Sequence, residues 1–111
     1  MKKRGSQGVE IARGTGDGMY VSFPGAPLES GDEIVFTVRS DEDSADKLLE
    51  KSVTDFTGDG KAFIGFSEED TLSLEADEYV YGVNVIRSGA EPVAVIRSAP
   101  FIVKEAVARN E

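Results

Sequence analysis

The chain has 111 residues and a mass of 11.9 kDa, room for one domain that buries roughly two-thirds of its unfolded surface. It contains neither Cys nor His, which excludes disulfides, thiolate or imidazole metal sites and every Ser-His or Cys-His catalytic arrangement. Twelve Lys and Arg against 21 Asp and Glu leave a net charge of -9, which argues against a nucleic-acid partner, because phosphate binding rests on cations.

Lys2-Lys3-Arg4 resembles the basic start of a signal peptide, but Gly5 to Gly8 stand where an apolar stretch belongs. No run approaches the ~20 apolar residues of a membrane helix. A single domain spanning 1-111 is therefore expected, neither exported by this route nor held in a membrane, with flexible ends at 1-7 and 105-111.

From Val9 onward the apolar residues recur at every second position, the signature of strands. Val9 and Ile11 form a first run, and Met19, Val21 and Phe23 a second that stops at Pro24-Gly25. Ser30-Gly31-Asp32 opens a third run, Ile34, Phe36 and Val38. Leu49 and Val53 flank Lys51 in a fourth. Residues 43-51 also allow a short helix, but Ser52-Val53-Thr54 favours extended chain. After a turn rich in Gly and Asp comes Ala62, Ile64 and Phe66.

The clearest strand runs from Tyr79 to Ile86, with Tyr79, Tyr81, Val83 and Val85 on one face. Ser88-Gly89-Ala90 marks a hairpin connection, from which Val93 and Val95 return. Phe101 and Val103 continue beyond Pro100, which is expected to place this last segment on an edge or to bend it. Seven to eight short strands with frequent turns describe an all-β domain, a β-sandwich or small barrel.

Among residues with chemical potential, Asp41, Glu42, Asp43 and Asp46 lie close together, followed by Asp55, Asp59 and Glu68 to Asp70. A calcium loop needs Gly at its sixth position, where Asp46 stands, so solvated loop charge is the reading adopted. No carboxylate pair is singled out for acid-base work, although a small cation-assisted hydrolase is a third reading. Gly14, Gly16 and Gly18 lead into another strand rather than a helix, so they mark a β-turn and not a nucleotide loop. No catalytic, cofactor-binding or metal residue is assigned.

Phe36, Phe63, Phe66, Tyr79, Tyr81 and Phe101 are expected in the core, with Leu72 and Leu74 packing ahead of Tyr79. Tyr79 has a second structural reading, a hydroxyl bonded back across a sandwich corner. Tyr20 and Phe23 are alternative exposed contact residues.

In order and spacing, the stretch from Asp32 to Val103 resembles the N-terminal immunoglobulin-like module of the bacteriophage baseplate upper protein family. The resemblance is carried by Ile34-Val35-Phe36-Thr37-Val38-Arg39, Leu48-Leu49-Glu50-Lys51, Ala62-Phe63-Ile64 and Glu69-Asp70-Thr71-x-x-Leu74. Tyr79-Val80-Tyr81-Gly82-Val83 and Phe101-Ile102-Val103 complete it. It implies an immunoglobulin-like sandwich of antiparallel strands in a phage or prophage virion structural protein, assembled in the bacterial cytoplasm. Such a module docks other virion proteins or further copies of itself in a homo-oligomer, without catalysis. The Pro92-Val103 edge is one candidate contact surface. A small binding module of a bacterial surface or carbohydrate-processing system is the alternative, since one fold hosts many functions.

If the alternation is read correctly, Ile64→Asp or Val83→Asp places an unpaired charge in the core and unfolds the domain, whereas Glu42→Ser and Asp43→Ser are nearly neutral. Thermal melts followed by circular dichroism check this. Equal tolerance at both sets of positions would contradict the reading.

Overall fold

The computed structural model describes residues 2-4, 8-23 and 25-105, and of residues 2-4 only the backbone. The strands are β1 (Lys2–Arg4), β2 (Gly8–Ala12), β3 (Asp17–Val21), β4 (Glu33–Arg39), β5 (Leu49–Val53), β6 (Ala62–Phe66), β7 (Asp77–Ile86) and β8 (Val93–Lys104). A short helix, α1 (Glu68–Leu72), precedes β7. Apart from the β1 backbone and Glu105, the expected flexible ends lie outside the described residues.

A strand turns successive side chains to opposite faces, so apolar residues two apart build one wall. Ile34, Phe36 and Val38 of β4 form such a wall with Tyr81, Val83 and Val85 of β7 and with Ala99, Phe101 and Val103 of β8, all buried. These strands belong to a six-stranded sheet ordered β1-β2-β8-β7-β4-β5. A second sheet of two strands, β3 and β6, covers the wall with Val21, Ala62, Ile64 and Phe66. Fully burying a side chain such as Ile64 contributes about 1.5–3 kcal/mol.

The sheet is mixed, which corrects the expectation of purely antiparallel strands. β2 runs parallel to β8, with Val9 opposite Phe101 and Ile11 opposite Val103. Alternation encodes which face is buried but not strand direction, and no short turn joins these two strands to force them antiparallel. The position of Phe101–Val103 is a second correction. These residues lie in the sheet interior, between β2 and β7, and β8 passes through Pro100 without a break. The edge is the other half of β8: Val93 to Ala99 pairs with β7 alone among the described residues. Pro100 stands one position before the β2 pairing begins, where a missing N–H is tolerated.

Of the region 43-51 only residues 49-51 join a strand, β5, while 43-48 form turn and irregular chain and no helix stands there. The helix lies elsewhere, at α1, where none was expected. Ser67 accepts from the Asp70 amide at 3.1 Å and Asp70 accepts from the Ser67 amide at 2.8 Å, a reciprocal cap. The helical turn leaves Leu72 46% exposed, so of the two leucines only Leu74 packs inward. Lys51 of β5 lies 2.6 Å from the Asp70 carboxylate and ties the large sheet to the helix.

Thr71 is fully buried. Its hydroxyl accepts from the Gly14 amide at 2.9 Å and shares its one proton between the carbonyls of Thr15, at 3.0 Å, and Glu68, at 3.1 Å. Arg13 adds bonds to the carbonyls of Leu72 and Leu74. The β2–β3 turn, where Gly14 adopts φ 81°, is thus fastened to the end of α1. The Tyr79 hydroxyl donates to the Glu75 carbonyl at 2.7 Å, the backward bond anticipated for this residue.

Asp32, 5% exposed, anchors the loop before β4 to the β7–β8 hairpin. Its carboxylate accepts from the Glu29 and Ser88 amides, each at 3.0 Å, and from Arg87 at 2.8 Å. The Glu29 amide, then the Ser88 amide and Arg87, hold its acidity stronger than the ordinary value of 3.8 against the opposing effect of burial. A lowered carboxyl value stabilises the fold fully above the unfolded value, and that contribution disappears as pH falls through the folded value. Asp32→Asn is therefore expected to melt at lower temperature than the parent at pH 7, with the gap narrowing as pH drops below 3.8. Paired thermal melts across pH check this, and a gap independent of pH would contradict it.

Candidate functional site

The small sheet has one face in the core and one in water. Its register sets Met19 opposite Ile64 and Val21 opposite Ala62 on the inner side, and Gly18 opposite Gly65 and Tyr20 opposite Phe63 on the outer side. Tyr20 is 63% exposed and Phe63 47%, with ring centroids 4.9 Å apart and planes tilted by 54°. Both rings stand on strands, so the core residues beside them fix where they point.

The two glycines explain how Phe63 lies. A Cβ on Gly18 would stand 2.3 Å from the Phe63 ring and 2.8 Å from the Ile64 carbonyl oxygen. Phe63 therefore rests across bare cross-strand backbone, as aromatic rings do over strand glycines. At the far end of these strands a hollow of about 240 Å³ is lined by Ser22, Pro27, Asp59 and Lys61, among others. Lys61 lies 3.5 Å from Asp59, and the Thr57 hydroxyl donates to the same carboxylate. That hydroxyl is the main cause holding Asp59 below the ordinary carboxylate value. The outer face thus runs from bare glycine through two aromatic rings to a polar end.

Phe63 departs from the expectation of a core position. Its chain neighbours Ala62 and Ile64 are fully buried, and alternation forces Phe63 to the other side. Of the two proposed contact residues, Tyr20 is exposed, whereas Phe23 packs against the core beneath the Arg87 guanidinium, 5.4 Å from the ring centroid. The other aromatics expected inside, Phe36, Phe66, Tyr81 and Phe101, are buried, and Tyr79 is partly buried against them.

The carboxylates do not converge. Asp41, Glu42, Asp43 and Asp46 occupy an exposed loop, where Asp41 accepts from the Asp43 amide. Glu68, Glu69 and Asp70 form the first turn of α1. Among the described residues no group of three Asp or Glu is placed to hold a metal ion, and no helix is long and apolar enough to cross a membrane. No protein-family model matches the chain, and no curated protein does.

Gly18→Ala drives a methyl group into both Phe63 and the Ile64 carbonyl. A loss of about 1–3 kcal/mol in urea unfolding is expected, with a changed near-ultraviolet dichroism from the displaced ring. Gly58→Ala, whose added carbon meets nothing within 4 Å, is expected to be neutral. Equal stability of the two variants would contradict the packing of Phe63.

Proposed function

We propose that the chain is a non-catalytic structural protein of a bacteriophage or prophage virion. It acts as a tail or baseplate attachment module that binds other virion proteins and is assembled in the bacterial cytoplasm. The architecture proposed for it is an immunoglobulin-like sandwich. Three adjacent strands, β8, β7 and β4, with β5 beyond them, face the β3–β6 pair, and the Tyr79 bond to the Glu75 carbonyl sits at the start of β7. That arrangement fits the late-strand corner and the sheet neighbours of such sandwiches.

The observation that carries the contact role is the exposed Tyr20–Phe63 pair. Aromatic side chains bring large apolar area at small entropic cost and are enriched where proteins bind one another. Here they are presented rigidly, on a sheet, beside a polar rim. The virion assignment rests on the family resemblance of Asp32 to Val103 and fits a module whose work is adhesion.

The test is mass spectrometry of particles purified after induction, comparing the parent with Tyr20→Ala/Phe63→Ala. The parent is expected in the particles. The double variant is expected to fold and to be depleted from them, because truncating such anchors costs about 2 kcal/mol or more, roughly thirtyfold in affinity. Absence of the parent chain from particles would overturn the assignment, and undiminished incorporation of the variant would overturn the role of the rings.

The same pair supports a second reading, a small binding module of a bacterial surface or carbohydrate-processing system, since aromatic faces also stack on sugar rings. Tyrosine fluorescence that responds to soluble cell-wall oligosaccharides, and no longer does so in the double variant, would favour it.

A further inference from the structure

The outer face of the large sheet, on the opposite side of the core from Tyr20 and Phe63, carries a trough of about 530 Å³. Val35, Thr37 and Arg39 of β4, Gly82 of β7, and Ile96 and Arg97 of β8 are among the residues that line it. A smaller hollow alongside shares Thr37, Arg39, Gly82 and Arg97 and is also lined by Glu42.

The trough has a definite origin in the strand register. Tyr81 pairs with Ala99 but Val83 pairs with Ile96, so Arg97 and Ser98 together oppose the single residue Gly82. Such a bulge bends its strand and redirects a side chain. Gly82 permits the close approach, because a Cβ there would stand 3.1 Å from the Arg97 carbonyl oxygen and 3.2 Å from that of Ile96. It also sets a residue without a side chain opposite Thr37, its partner across the sheet.

The charge of this trough is opposite to that of the chain. Arg39, Lys47 and Arg97 line it against one carboxylate, Glu50, which Lys47 already holds at 3.1 Å. The chain as a whole has 12 basic to 21 acidic residues. Arg13 and Arg87 are fully engaged by carbonyls and carboxylates elsewhere. The guanidinium groups of Arg39 and Arg97 make no hydrogen bond or ion pair among the described residues.

We infer that this trough binds an acidic, extended segment of a partner protein, with carboxylates received by Arg39 and Arg97. A guanidinium presents a planar fork that matches a carboxylate through two parallel bonds. The apolar lining from Val35, Ile86 and Ile96 suits the side chains of such a segment and has no use for a bare anion. A nucleic acid is disfavoured by the net charge of -9. The trough is separate from the aromatic pair, so this assignment does not depend on the proposed virion role.

The test is a titration of the nitrogen-15-labelled full chain with a short peptide alternating glutamate and valine, and with the same peptide carrying glutamine for glutamate. The glutamate peptide is expected to shift the Thr37, Gly82 and Arg97 amides and to bind about tenfold or more tighter than the glutamine peptide. Salt is expected to weaken it. The doubly substituted chain, Arg39→Gln/Arg97→Gln, is expected to keep its remaining resonances and lose about tenfold or more in affinity. Tyr20→Ala/Phe63→Ala is expected to bind the peptide as the parent does. Equal affinity for the two peptides, full affinity in the arginine variant, or shifts confined to other residues would each overturn the assignment. So would inorganic sulfate saturating the same amides with no gain from the peptide.

Discussion

Phe36 stands where the two sheets meet. Its ring lies 5.1 Å from Phe66 of the small sheet, 5.2 Å from Tyr81 and 5.8 Å from Phe101 of the large one. Phe66, Tyr81 and Phe101 also contact one another or share Phe101 as a neighbour, closing a four-ring cluster. Each such pair is worth about 0.5–1.5 kcal/mol beyond the area it buries. The pairings constrain more than stability. With Phe36, Phe66, Tyr81 and Phe101 inward, alternation sends Thr37, Gly82 and Phe63 outward. Both exposed surfaces of interest are thus consequences of the core.

Three polar fastenings complete what the core begins. Asp32 joins the loop before β4 to the hairpin after β7, Thr71 joins α1 to the β2–β3 turn, and Lys51 with Asp70 joins β5 to α1. Each spans elements distant in sequence. Each also uses a polar side chain that an apolar pattern leaves out of account. These bonds fix the loops at the ends of the sheets and leave the outer faces clear.

Much of the fold can be read from the chain because the period of two is long and regular where it matters. The β4, β6 and β7 walls, the strand at Leu49–Val53 and the backward bond of Tyr79 to the Glu75 carbonyl all follow from local pattern. Strand direction does not, since Val9 and Phe101 meet across nearly the whole sequence. The helix carries a legible start in Ser67-x-x-Asp70, but one turn of chain gives no apolar period to notice. Phe63 has the bulk of a core residue, but its place between the buried Ala62 and Ile64 marks it as outward. The trough at Gly82 is legible only in register, because a bulge is a mismatch between two strands and neither strand's sequence declares it. A small sheet presenting two aromatic rings and a large sheet presenting two uncommitted guanidinium groups offer unlike chemistries on opposite sides of one body.

Hydroxyl-radical footprinting read by mass spectrometry tests the inward and outward assignment at the level of single side chains. Tyr20 and Phe63 are expected to oxidise rapidly in the native chain, while Phe36, Phe66, Tyr81 and Phe101 stay protected until the chain is unfolded. Protection of Phe63 together with rapid oxidation of Phe36 or Phe101 would mean that the strands face the other way, and would contradict the account.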